Sequence, residues 1–189
     1  MIRIGVTGHV ALSADSVQPV HRLLVRELTS LAGPDLHGVT CLARGTDQVF
    51  ARAVRSLGGT FEVILPAVDY RFRIADPAAL ADFDDLLRQA SQVSCMRFTE
   101  SSREAYLAAS EELLRRCDRL LAVWDGQPSV LVGDTADVVR SAERLGLPVT
   151  VLWPRGARRE PALDRAAAPD GRPAKRGVPK GGVAASPGR

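Results

Sequence analysis

Across residues 1 to 153, short apolar runs alternate with segments whose apolar residues recur every three or four positions, and this alternation leaves few folds open. The runs are Ile2 to Val6, Val39 to Leu42, Phe61 to Leu65, Val93 to Met96, Leu120 to Trp124 and Val149 to Trp153. They are mostly bounded by Gly, Pro or Asp, as strands buried on both faces are. Between them lie Val20, Leu23, Leu24, Leu28 and Leu31; Val49, Phe50, Ala53, Val54 and Leu57; Leu80, Phe83, Leu87 and Ala90; Tyr106, Ala109, Leu113, Leu114 and Cys117; and Val138, Val139, Ala142 and Leu145. Each set makes one apolar helical stripe. Six strands alternating with five helices predict an α/β, Rossmann-like, doubly wound and mostly parallel sheet with helices on both faces.

Helix punctuation agrees. Ser16 and Pro19 mark the start of the first helix, Gly58-Gly59 the end of the second, and Gly146 with Pro148 the end of the last. The body from 1 to 153 is expected to be one domain, and 154 to 189 a separate tail. That tail is rich in Pro, Gly, Ala and Arg and carries nine Arg or Lys against three Asp or Glu. Such a composition buries little and predicts disorder. The body keeps 16 basic and 19 acidic groups and no lysine, so the net charge of +3 belongs to the tail. Nucleic acid therefore has a handle on the tail alone.

No apolar stretch is long enough to span a bilayer, and the chain opens on strand-like MIRIGVTG rather than on a secretory leader; we expect a cytoplasmic protein with no membrane partner. Cys41, Cys95 and Cys117 sit singly inside apolar segments, with no CxxC pair and no histidine at ligand spacing. They are expected to be reduced, buried packing residues, with no metal and no cofactor.

In a doubly wound sheet, ligands bind at the carboxyl edge of the strands. Four turns there carry polar groups. Gly5-Val6-Thr7-Gly8-His9 ends the first strand, and Thr7, Gly8 and His9 are ligand candidates, although the stretch is not a GxGxxG fingerprint. Gly45, Thr46 and Asp47 open the second helix, where ligand contact and helix capping are equally good readings of the hydroxyl and the carboxylate. The long loop from Pro66 holds Tyr70, a candidate to stack on a base, with Arg71 and Arg73 to pair with a phosphate. The fourth is Asp125-Gly126 followed by Gly133-Asp134-Thr135, a glycine turn opening a helix whose N-terminus favours an anion, with Asp134 and Asp137 at capping-box spacing. Four such turns on one edge predict a cleft for a phosphate-bearing ligand.

The order of GVTGH, LARGTDQVFARAV followed by LGGTFEVILP, and LLAVWDG followed by GDTADVV resembles the SLOG superfamily, which joins the DNA-processing protein A domain with the LONELY GUY phosphoribohydrolases. The likeness spans residues 1 to about 153. It implies a Rossmann-like domain that binds nucleotides or their derivatives. The phosphoribohydrolases cleave the N-glycosidic bond of a nucleoside 5′-monophosphate and carry the signature PGGxGTxxE with a preceding arginine. Gly133 and Thr135 match it in kind, Asp137 stands for the glutamate, and Arg103 is the nearest arginine; one glycine is missing and Asp134 replaces a small residue. The resemblance thus implies Asp137 as the carboxylate beside an oxocarbenium-like sugar, with Asp47 or Asp125 as alternates and Arg103 on the phosphate. Two functions follow: nucleotide binding with phosphoribohydrolase-like cleavage, or non-catalytic nucleotide sensing, which accommodates the departures better. DNA binding ranks last. Relatives often pair through helices, so a homodimer is a further expectation.

Overall fold

A computed structural model of the chain describes residues 2 to 31, 33, 35 to 127 and 135 to 160. The elements run β1 (Ile2–Gly8), α1 (Ala14–Leu31), β2 (Leu36–Thr40), α2 (Thr46–Ser56), β3 (Thr60–Leu65), a 3-10 turn (Tyr70–Arg73), α3 (Pro77–Gln89), β4 (Gln92–Cys95), α4 (Arg103–Arg116), β5 (Arg119–Val123), α5 (Thr135–Arg144) and β6 (Val149–Leu152). The strands form one sheet in the order β4-β3-β2-β1-β5-β6, and every pairing is parallel. The fold class is the expected one.

Strand order runs outward from β1 to β4, then returns to the other side of β1 for β5 and β6. With right-handed crossovers, reversing direction moves the helices to the opposite face. Two cores show it. Ile4, Val6, Phe61, Val63 and Val123 pack with Leu24, Leu28, Phe50, Val54 and Phe83 of α1, α2 and α3, whereas Val39, Ile64 and Leu120 pack with Leu113, Leu114, Val138 and Ala142 of α4 and α5. The reversal lies between β1 and β5, the position where doubly wound sheets form their ligand crevice.

Several local expectations shift for identifiable reasons. β2 begins at Leu36, before the apolar run at Val39, because a side chain at Gly38 would meet the Phe50 ring at 2.9 Å: the glycine is a strand residue that makes room for α2. Leu42, expected to end that strand, instead has φ 57 and is fully buried. α1 starts at Ala14, so Pro19 lies inside the helix rather than at its start. The start is set by Ser13, whose carbonyl accepts the Ser16 N–H at 2.8 Å and whose hydroxyl lies 2.7 Å from that of Ser16. Both glycine stops hold: Gly58 and Gly146 have φ 75 and 70, and the amides of Gly59 and Leu147 each reach back to a carbonyl of the last helical turn at 3.0 Å. Of the cysteines, Cys117 is buried and Cys41 half-buried, but Cys95 is exposed because β4 is an edge strand.

The segment after β6 also departs from expectation. Residues 154 to 160, assigned by composition to the tail, turn at Gly156 (φ 81) and lie against the β1–α1 loop: Ser13 N–H donates to Arg158 O at 3.0 Å, Glu160 N–H to Ala11 O at 3.0 Å, and Arg158 N–H to Ser16 Oγ at 2.7 Å. The body therefore reaches Glu160. Residues 161 to 189 lie outside the described part.

Candidate functional site

At the strand-order reversal, the residue following β1 meets the residues following β5. His9 Nε2 lies 3.0 Å from Asp125 Oδ1, and both side chains are largely buried. Asp125 Oδ1 also accepts the Gln127 N–H at 3.0 Å, and its Oδ2 lies 3.1 Å from Nε of Arg159. Burial alone would raise the Asp125 carboxyl; the Gln127 amide, His9 and Arg159 together hold it below the usual carboxylate range. The Trp153 ring, at the end of β6, stands edge-on to His9 with centroids 5.3 Å apart. An imidazole, a carboxylate and a guanidinium thus form one connected row across the crevice. Arg159 is there only because the strap of residues 157 to 160 pairs with Leu12.

The next loop along the edge is welded to the first. Thr46 caps nothing in its own helix: its hydroxyl and its amide donate to His9 O, at 3.0 and 3.2 Å. Gly8 permits that approach, since a side chain there would stand 2.6 Å from Thr46 and 2.7 Å from Val123 O. Gly45, with φ 79, would place a side chain 2.4 Å from Val10 O. Gly45→Ala therefore combines a left-handed backbone with a backbone clash, and is expected to cost about 2–4 kcal/mol in urea unfolding. A loss under 1 kcal/mol would show that the two loops are not locked together.

Asp47 does not cap α2 either. Its Oδ2 accepts from the Thr40 hydroxyl at 3.0 Å, Cys41 N at 3.1 Å and Ala43 N at 3.3 Å, while Thr40 Oγ1 in turn accepts the Leu42 N–H at 3.0 Å. The carboxylate and hydroxyl hold the chain on both sides of Leu42, whose left-handed backbone is a strained state for a branched side chain. Burial raises the Asp47 carboxyl to about 6, against the opposing pull of its three donors, and pushes the neighbouring Cys41 thiol well up. In the sequence, ligand contact and capping were the two readings of Thr46 and Asp47; their observed bonds are a third, a brace between loops.

Above β3, the loop after buried Pro66 folds into the 3-10 turn. Tyr70 packs edge-on against Phe83 and Tyr106, with centroids 5.9 and 6.1 Å apart. Arg71 makes a paired contact with Asp84 (2.7 and 2.5 Å), and Arg73 meets Asp69 at 2.9 Å. Asp69 in turn accepts the Ser101 amide and hydroxyl, at 2.7 and 2.6 Å, which ties the loop to the start of α4. The loop's arginines thus already hold carboxylates, and its freest ring is Phe72, 78% exposed.

Three solved structures share this architecture. The structural-genomics target TM1055 superposes with a TM-score of 0.52 at 20% identity, over 79% of this chain and 72% of its own. DNA processing protein A from Streptococcus pneumoniae gives 0.58 at 14% identity, over 80% of this chain and 50% of its own. DNA processing protein A from Helicobacter pylori, described for its single-stranded DNA binding mode, gives 0.57 at 16% identity, over 79% and 64%. At these identities the likeness shows the fold alone, a parallel α/β sheet of the Rossmann-like kind. This chain spans about half to two thirds of the length of DNA processing protein A. No family model matches the sequence, and no curated protein does.

On this sheet the residues read from the sequence divide. Gly8, His9, Gly45, Thr46 and Asp125 come together where β1 and β5 end; Thr7, the last residue but one of β1, lies on the face of Gly5, toward α4, and Gly126 has φ 78. Thr135 opens α5 with its side chain buried, and Asp137, one turn in, is ion-paired with Arg140 of the same helix. Arg103 is exposed in the first turn of α4, capped by Ser102. Gly133 and Asp134 lie outside the described residues. Arg159 was the residue missed. Its only sequence signal is a Pro154-Arg155-Gly156 turn directly after the last strand, which reverses the chain onto the site. Among the described residues, no group of three His, Cys, Asp or Glu is placed to hold a metal, and no helix is long and apolar enough to cross a membrane.

Proposed function

We propose that the protein binds a nucleotide, or another phosphate-bearing nucleotide derivative, in the crevice between the carboxyl ends of β1 and β5. The observation that carries this reading is the His9–Asp125–Arg159 row at the strand-order reversal, the position where doubly wound sheets take ligands. A carboxylate and an imidazole suit the hydroxyls of a ribose, and the guanidinium, whose Nε alone is bound to Asp125, has donors left for a phosphate. The start of α5, with Thr135 at its first residue, adds a favourable field for the anion.

Binding without turnover is the better-supported reading. Asp137, the carboxylate that resemblance offers for glycosidic cleavage, is turned along its own helix to Arg140. Melting the full chain with a panel of nucleoside mono- and diphosphates tests both readings. A ligand at about a hundred times its dissociation constant is expected to add about 2.7 kcal/mol, or about 5–10 °C in Tm. Arg159→Ala and His9→Ala should each abolish most of that shift. No shift from any nucleotide would refute binding, while release of free base, lost in Asp137→Ala, would establish hydrolysis instead.

A further inference from the structure

A groove of about 520 Å³ opens between α1 and the chain leaving β6. Arg22, Leu23 and Arg26 of α1 form one wall, and Trp153, Pro154 and Arg155 the other. Among the described residues, no carboxylate lines it. Arg26 meets Glu27 at 2.8 Å, but that arginine side chain is 72% exposed, so the pair is weak. Among the described residues, Arg22 and Arg155 have no ion-pair partner, and both are exposed. Three guanidinium groups and one indole therefore share a concavity in which, among the described residues, Arg26 alone has a carboxylate partner.

We propose that this groove is a second binding site, separate from the crevice, for a nucleoside phosphate unit. Arg22 and Arg155 hold the phosphate, and the base lies against Trp153 and Pro154. The chemistry favours this class in three ways. Guanidinium forks match phosphate oxygens in a bidentate manner. An indole beside apolar Leu23 and Pro154 offers a stacking surface that a bare anion would not need. The volume suits a ligand of nucleotide size rather than an isolated ion. The chain's own tail is a poor occupant, since residues 161 to 189 carry six Arg or Lys against two Asp. Arg22 and Arg26 stand four residues apart, about 6 Å along the helix, so the wall can serve either one polyphosphate or successive phosphates of a strand.

The test uses the full chain with Trp124→Phe, which leaves Trp153 as the sole tryptophan of the two in the sequence. Its emission is followed on titration with ADP, with inorganic pyrophosphate and with a short oligothymidylate. Quenching by ADP that weakens with added salt is expected, with pyrophosphate competing. Arg22→Ala combined with Arg155→Ala should raise the apparent dissociation constant at least tenfold, about one unit in its logarithm. Asp125→Asn should raise it far less than the arginine variant does, which separates this site from the crevice. Quenching by the oligonucleotide and not by ADP would keep the recognised unit and assign its source to a strand. Absence of quenching by every probe, or an unchanged constant in the arginine variant, would overturn the proposal. So would equal loss in the arginine and Asp125 variants, since groove and crevice would then be one site.

Discussion

Glu62→Ala is expected to destabilise the protein by about 3–5 kcal/mol, the range for removing one partner from a buried ionic cluster. Glu62 lies on β3 with its side chain 3% exposed, and its two oxygens are shared between Arg3 of β1 and Arg116 at the end of α4, the latter at 3.0 Å. Arg116 also pairs with Glu112 at 2.5 Å and donates to Ser94 Oγ of β4 at 3.1 Å, and His37 Nε2 of β2 lies 3.8 Å from Glu62. The cluster around this carboxylate thus ties four strands and a helix at the amino edge of the sheet, opposite the ligand edge. Removing the carboxylate leaves two cations facing each other around a half-buried site. Both arginines keep a quarter to a third of their surface in solvent, so they can turn outward, and the loss belongs nearer 3 than 5 kcal/mol. Glu62→Gln, which keeps the shape and an acceptor, should lose about half as much. Urea unfolding of both variants measures this. If the alanine and glutamine variants were equally stable and within 1 kcal/mol of the parent, the cluster would contribute nothing net.

The second large effect is pH-dependent and sits at Asp47. Its carboxyl is raised by burial to about 6 from an ordinary 3.8, so the native state holds its proton more tightly than the unfolded chain does. Stability from this group is therefore greatest below its unfolded value and falls as pH rises toward 6, by about 3 kcal/mol for a shift of about two units. Asp47→Asn keeps an oxygen for the Cys41 and Ala43 amides and cannot ionise. Measured against the parent, the asparagine variant should gain about 3 kcal/mol in relative stability between about pH 4 and pH 7. An equal difference at both pH values would show that the carboxylate is not held out of water. Asp47→Ala is a different experiment, because it strands two backbone donors beside the strained Leu42, and it should destabilise at every pH by about 2–4 kcal/mol.

These two residues show where sequence reading stops. Asp47 stands at a helix start, so its type and place admitted capping or ligand contact. Its actual partners, Thr40 and the Cys41 and Ala43 amides, lie at the end of β2 and on the loop that follows it. They can be reached only because Leu42 adopts a backbone that no local propensity favours. Glu62 lies inside an apolar run and gave no signal at all, since its partners come from β1 and α4, 59 and 54 residues away.

What the sequence alone determined is whatever depends on near neighbours along the chain. The alternation of apolar periods decided the six strands and five helices, and the glycines at 58 and 146 decided where two helices stop. These follow from backbone sterics and local burial, which are legible in a window of a dozen residues. The same reading placed His9 and Asp125 at the ligand edge, because a doubly wound sheet sends every strand end there. Only the tertiary structure decided that these two meet, that β5 rather than β2 stands across the reversal, and that Arg159 returns from beyond the last strand to join them. Each of those depends on strand order and on a strap packed across more than a hundred residues of sequence. Contacts of that separation are selected by the packing of whole elements, and no local pattern encodes which elements become neighbours.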